Sequence, residues 1–386
     1  MRYTDEALEG LRAEGDPEPD RILGELIREG QVEEANAILR HLIQNSQPVP
    51  EELPDNIEFW LREGGTLPAW VDRSRIDRAS ALFVEHGVTI SLILATASLV
   101  ECYAAVKGVK VLTFSYRLGQ NAYRRVAETA QFVILVMTPG GLYEGGQGIK
   151  AIQKVRLMHA AIRNLVAATG RWEQRELGVP ICQEDMLGTL MAFSYIVIRD
   201  LRKLGVEVGE QEAEDFIYFW RVAGELLGIR PEVIPATMAE VRELTEAIAR
   251  RHHGPSPEGV QMTRALLEMH ADLIPGELFD GIVPALIREL VGDRVADWME
   301  VPESRWEAVL EHKRLIGGWF DAVQRNLQIV RNVVNRLGIA LMTRQAIALA
   351  GYERAAFQIP TELRQVWGID GPGTQAAAGE QGGAGA

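Results

Sequence analysis

The segment KVRLMHAAIRNLV, Lys154–Val166, spaces Val155, His159, Ile162 and Val166 at intervals of four, three and four residues. That spacing falls on one face of an α-helix and on no face of a strand. An imidazole on such a stripe points into apolar packing and away from water. Arg156 and Arg163 stand three residues before and four residues after His159, on the same side of the helix. Spacing leaves two readings open. One is a core histidine hydrogen-bonded to backbone between solvated arginines; the other is a metal ligand between guanidiniums that pair with an anionic group.

The same period continues outward. About 30 residues upstream, Gln120–Met137 forms a second amphipathic helix on which Arg125, Thr129, Phe132 and Val136 share a face and Arg124 pairs with Glu128 at i, i+4. Here too a partly exposed face with an ordinary ion pair stands beside the functional reading. Helices are expected at 74–86, 88–107, 150–168, 184–204, 210–228, 237–251, 258–273, 279–291, 303–314 and 315–348, after a short helical hairpin over 20–42 turned at Gly30. Only Val109–Phe114 carries a β-rich signal, as a short strand or extended loop. Thr138–Gly148 (TPGGLYEGGQG) lacks the flanking strand and Lys-Ser/Thr of nucleotide loops and reads as a link that lets two helices pack. The fold class is all-α.

The chain has 386 residues, with 40 Lys plus Arg against 54 Asp plus Glu and a net charge of −14. That acidity opposes the counterion release on which general nucleic-acid binding depends. Cys102 and Cys182, the two cysteines, cannot build a disulfide framework or a cysteine cluster. The N-terminal residues lack the basic-then-apolar order of an export signal, and the apolar run Gly87–Val100 is too short to span a bilayer. It reads as a buried core helix. A cytoplasmic protein without a transmembrane segment is expected.

A di-iron carboxylate site needs paired Glu-x-x-His motifs. None of the seven histidines has Glu three residues before it, and no His-Glu-x-x-His or Cys-x-x-Cys-His motif occurs. A macrocycle-bound metal remains, because haem requires only one imidazole from the chain. His159 is the best candidate for that ligand, with Arg156 and Arg163 placed to meet the propionates. Two helices on either side of a flat cofactor is a globin's arrangement, and it makes Arg125 and Thr129 polar donors in an otherwise apolar distal pocket. The His252–His253 pair reads as a solvated basic helix end, and His41, His86, His270 and His312 have polar surroundings.

The ordered motifs NAYRRVAETAQFV (121–133), KVRLMHAAIRNLV (154–166), GVPICQEDMLGTLMAFSYIVI (178–198) and FWRVAGELLGI (219–229) resemble the MpaB-type oxygenase family, which includes the rubber oxygenases or latex clearing proteins. The resemblance is strongest over 55–230 and thins toward Trp367. It implies a single large helical domain over 55–370 with a globin-like core that carries haem b. A helical extension over 1–54 precedes this domain, and 371–386, rich in Gly, Ala and Gln, is a disordered tail. By the same resemblance His159 is the proximal iron ligand, Arg163 its motif partner, and Arg125 and Thr129 the distal catalytic residues. A lysine that precedes the distal threonine in rubber oxygenases is Glu128 here, and Glu101 and Glu128 are the nearest candidates for a distal acid.

The implied activity is oxygenation, with dioxygen, of an unsaturated hydrophobic small molecule, isoprenoid-like or another lipophilic metabolite. The helix 88–107 would line the substrate cavity. A polymer such as rubber has to be met outside the cell, which favours the small molecule. The alternatives are a haem-based binding or sensor protein without turnover and a haem-free helical scaffold of the same fold.

Overall fold

A computed structural model describes residues 2–28, 57, 60, 65–114, 122–273 and 281–306. The regular elements among these residues are all helices, with no strand and one isolated bridge between Ala105 and His253. The helices are α1 (Asp5–Leu11), α2 (Pro17–Arg28), α3 (Arg73–Ile93), α4 (Leu99–Ala104), α5 (Val109–Phe114), α6 (Ala122–Met137), α7 (Gln147–Ala168) and α8 (Gln174–Leu177). They continue as α9 (Gln183–Phe193), α10 (Tyr195–Lys203), α11 (Glu210–Leu226), α12 (Met238–His252), α13 (Pro257–Leu273), α14 (Ile282–Val291) and α15 (Asp293–Trp298). His41, His312, the turn at Gly30, the helix expected over 315–348 and the tail from 371 lie outside the described residues.

The apolar run Gly87–Val100 is a core element, as its composition predicts. Ile90, Leu92, Ile93, Ala97 and Val100 are buried in the main cluster, and α3 packs along α11. Between α3 and α4 the chain widens into one π-turn, Leu94–Ser98. This loosens the helix ladder and leaves carbonyls for other donors. Thr96 Oγ1 donates to the Leu92 carbonyl at 2.7 Å, and His270 Nε2 lies 2.9 Å from the Ala95 carbonyl. No single helix among the described residues is long and apolar enough to cross a membrane.

Three expectations are corrected by tertiary context. Val109–Phe114 is helical, because Val109 and Val111 bury their side chains and α5 packs on α13, which overrides β-branched propensity. The helix expected over 184–204 is two helices, broken at Ser194 (φ −109, ψ −81), whose hydroxyl donates back to the Leu190 carbonyl at 2.7 Å. The His252–His253 pair is not a solvated helix end. His252 is buried with Nε2 2.9 Å from Glu184 Oε2, and burial pulls the His253 imidazole down to about 4.

Glu184 is fully buried at the start of α9 and also meets Arg12 (3.2 Å) and Arg251 (2.8 Å). These contacts tie the N-terminal helix to α9 and α12. Tyr3, Leu8 and Leu11 enter the main core cluster. The chain's first residues are therefore packed onto the helical body.

Candidate active site

The α6–α7 hairpin is built around its glycine-rich turn. A Cβ on Gly148 would stand 2.8 Å from Val136 Cα and the Leu135 carbonyl, and one on Gly141 or Gly146 would run into carbonyl oxygens at 2.3–2.9 Å. Only glycine allows so close an approach of two helices. The loop is hydrogen-bonded within itself, with the Gly146 N–H donating to the Tyr143 carbonyl at 2.7 Å and the Ile149 N–H to the Gly141 carbonyl at 3.1 Å. It is a packing link, as its sequence suggests.

The helices run antiparallel. Gly148 meets Val136 near the turn, and farther along Glu128 on α6 acts on Lys154 on α7. The same register brings Thr129 to the level of Val155 and the Arg125 backbone to the level of His159. Burial pulls the Lys154 ammonium down to about 8, and the Glu128 carboxylate partly offsets it. The exposed Glu128 thus has a cross-helix cation as neighbour.

Helix α7 presents two different faces. Leu157, Ala160 and Ala161 are buried against Ile22 and Leu23 of α2 and against Trp60. Val155, Met158, His159 and Ile162, on the other side, are only half-buried. His159 belongs to the face that α2 leaves uncovered.

Its ring is nevertheless enclosed. Nδ1 is sealed from solvent and has no hydrogen-bond partner. Burial, reinforced by the nearby Arg163 guanidinium, pulls the imidazole down to about 3. A neutral ring keeps a nitrogen lone pair, which is the form that binds a metal. Of the other described histidines, His270 meets the Ala95 carbonyl, His252 stands against Glu184 with both ring nitrogens outside hydrogen-bond geometry, His86 lies 3.5 Å from Glu85, and His253 lines a cleft with Arg250, Arg294 and Trp298.

The two arginines bracketing His159 face N-terminal carboxylates, an arrangement the sequence reading does not contain. Arg156 donates twice to Asp16, at 2.7 and 2.9 Å, and its guanidinium lies 5.2 Å from the Trp60 ring centre. Arg163 donates through Nε to both oxygens of Asp20, at 2.7 and 2.9 Å, and through a terminal nitrogen to the Ile181 carbonyl at 3.3 Å. Asp16 and Asp20 are the participants that sequence reasoning missed. The acidic DPEPD run (16–20) is visible, but nothing periodic links it to arginines 140 residues away.

Glu101, one candidate for a distal acid, is buried on α4 and accepts from Arg199 at 2.6 Å, in a cluster where Arg199 also holds Asp200. Of the stretch 88–107, expected to line the substrate cavity, residues 90–104 pack mostly into the core. A cleft of about 260 Å³ lies elsewhere, between α12 and α15, lined by Arg250, His253, Arg294 and Trp298. Among the described residues no three His, Cys, Asp or Glu side chains converge as a metal site. A cofactor that needs a single protein ligand is the kind this histidine suits.

The described residues form an all-helical body with a buried histidine on a hairpin helix, and comparison with known proteins gives this body its class and family. Residues 78–322 match the catalytic domain of the ER-bound oxygenase mpaB/B'/rubber oxygenase family, and the chain belongs to that family. It is an oxidoreductase of the oxygenase type. It is 27% identical over 284 residues to the rubber oxygenase of Streptomyces sp. (strain K30), across 73% of this chain and 69% of that protein. Its fold is similar to that of a latex clearing protein in the closed state, with a TM-score of 0.75 at 24% identity over 90% of this chain and 94% of that one.

Proposed function

We propose that this chain is a haem b-dependent oxygenase that uses dioxygen to oxidise an unsaturated hydrophobic small molecule, isoprenoid-like or another lipophilic metabolite. The observation that carries the proposal is His159: an enclosed, neutral imidazole with an unpartnered nitrogen, on the face of α7 that α2 leaves uncovered. The residues present fit a haem, with His159 as the one ligand from the chain. Haem supplies an iron centre that activates dioxygen, chemistry no side chain provides.

The chain's own contribution is binding, orientation and exclusion of water. The half-buried Val155, Met158 and Ile162 give an apolar surface beside His159. Across the hairpin Arg125 and Thr129, one turn apart on α6, stand at its level. Their donors would orient dioxygen and stabilise developing negative charge. Arg156 and Arg163 act through α7 and its N-terminal partners. Cys182 is buried and Cys102 half-buried, and the two are not joined in a disulfide, which agrees with a reducing, cytoplasmic setting.

The test is the absorption spectrum. Purified protein should show an intense Soret band, and His159→Ala should lose stoichiometric haem while keeping its helical circular dichroism. Full haem occupancy with an unchanged low-temperature spin spectrum in the variant would remove His159 from this role.

A further inference from the structure

Asp16 and Asp20, the partners of Arg156 and Arg163, lie in an N-terminal segment outside residues 78–322, the part matched by the family domain. We propose that Asp16 and Asp20 are positioning residues for His159: the N-terminal segment grips α7 one turn on either side of the histidine and sets the pose and the charge around its imidazole. The inference rests on the reading of His159 as the haem ligand.

The geometry is that of a two-point clamp. Arg156 and Arg163 are seven residues apart, about 10 Å along the helix axis, and His159 lies between them. Each meets its aspartate through short charge-assisted bonds of 2.7–2.9 Å. The pairs are withdrawn from water, with side-chain exposures of 10% and 4% for Arg156 and Asp16 and 5% and 28% for Arg163 and Asp20. Ile22 and Leu23 of α2 cover the adjoining face of α7, so the helix cannot roll without breaking both kinds of contact.

The clamp is itself fixed to the body. The Val179 and Gln183 N–H groups donate to the Arg12 and Glu14 carbonyls, each at 2.8 Å. Gln183 Nε2 bridges the Gly15 and Gly228 carbonyls at 2.8 and 2.9 Å. Gly15 admits the pairing because a Cβ there would stand 2.9 Å from Asp20 Oδ2 and 3.0 Å from Arg163 Cδ.

Charge follows from the same contacts. An uncompensated Arg163 beside the imidazole would withdraw electron density from it, and the Asp20 carboxylate offsets that cation. Groups that orient and polarise a metal-bound histidine typically change metal affinity about 10- to 100-fold when removed.

The experiment compares holoprotein of wild type, Asp16→Asn, Asp20→Asn, Asp20→Glu and Glu25→Gln, the last breaking an exposed pair with Arg21 on the same helix. Three quantities are read: the rate of haem transfer to an apoglobin acceptor, the reduction potential, and the unfolding midpoint of the haem-free protein. Asp20→Asn should speed haem transfer about tenfold or more and raise the potential, Asp20→Glu should restore most of both, and Glu25→Gln should match wild type. Asp16→Asn should act in the same direction. If it does not fold, the more exposed Asp20 still decides the question. An Asp20→Asn protein with wild-type haem transfer and potential, whatever its melting point, overturns the proposal. Failure of the underlying reading looks different, since then His159→Ala binds haem as well as wild type.

Discussion

Gly228 offers a way to displace Asp16 without altering a charge. It ends α11 at φ +85, and a Cβ built there would stand 2.2 Å from Asp16 Oδ2, 2.7 Å from its Cγ and 2.9 Å from Arg156 Nε. Gly228→Ala therefore imposes two costs. The left-handed backbone costs an L-residue about 1–2 kcal/mol. The methyl drives the carboxylate off a guanidinium that is itself nine-tenths buried, and separating such a pair costs about 3–5 kcal/mol. Gly140→Ala is the matched control, with φ +79 and no atom within 4 Å of its Cβ, so only the backbone cost of about 1–2 kcal/mol applies. Urea unfolding of the haem-free proteins should separate the two variants by about 3–5 kcal/mol. If they agree within about 1 kcal/mol, the carboxylate steps aside freely and the clamp is not the constraint described above.

Arg125→Ala and Thr129→Val should retain haem but slow turnover about 100- to 1,000-fold, the effect of losing a donor aimed at developing charge, while Arg124→Ala, about 100° around α6, should stay near wild type. Stopped-flow mixing of the ferrous protein with oxygen checks this, and unchanged kinetics in both variants would remove these residues from the site. For pH, the folded His159 imidazole titrates at about 3, below its ordinary 6.5, so the unfolded chain binds a proton first as pH falls. Haem-free wild type should lose stability from pH 7 toward pH 4, and His159→Ala should lose less over that range in parallel urea titrations. Glu184→Gln strands Arg12, Arg251 and His252 around a buried neutral amide and should cost about 3–5 kcal/mol, read as a lowered thermal midpoint; a midpoint within error of wild type would show the network to be dispensable.

How legible these features were in the sequence depends on the distance over which each is decided. The core run Gly87–Val100 is a local composition and the face carrying His159 a periodic pattern within one helix, and the structure contains both. The helix break at Ser194 and the helical state of Val109–Phe114 are neither, because each is decided by what packs on the segment or by one hydroxyl turning back on its own ladder. His252 misled for the same reason. Its neighbours Arg250 and Arg251 signal a solvated end, but the fold sets it against the buried Glu184.

By itself the sequence determined that the chain is helical, that His159 lies on an apolar stripe between two arginines, and that no multi-residue metal motif competes with it, because helical period and ligand spacing are local properties. Only the tertiary structure decided the partners of those arginines. Asp16 and Asp20 lie 140 and 143 residues from Arg156 and Arg163. A guanidinium donates to a propionate or to a carboxylate side chain equally well on charge, so the choice falls to whichever chain segment the packing of α2 on α7 brings within 3 Å.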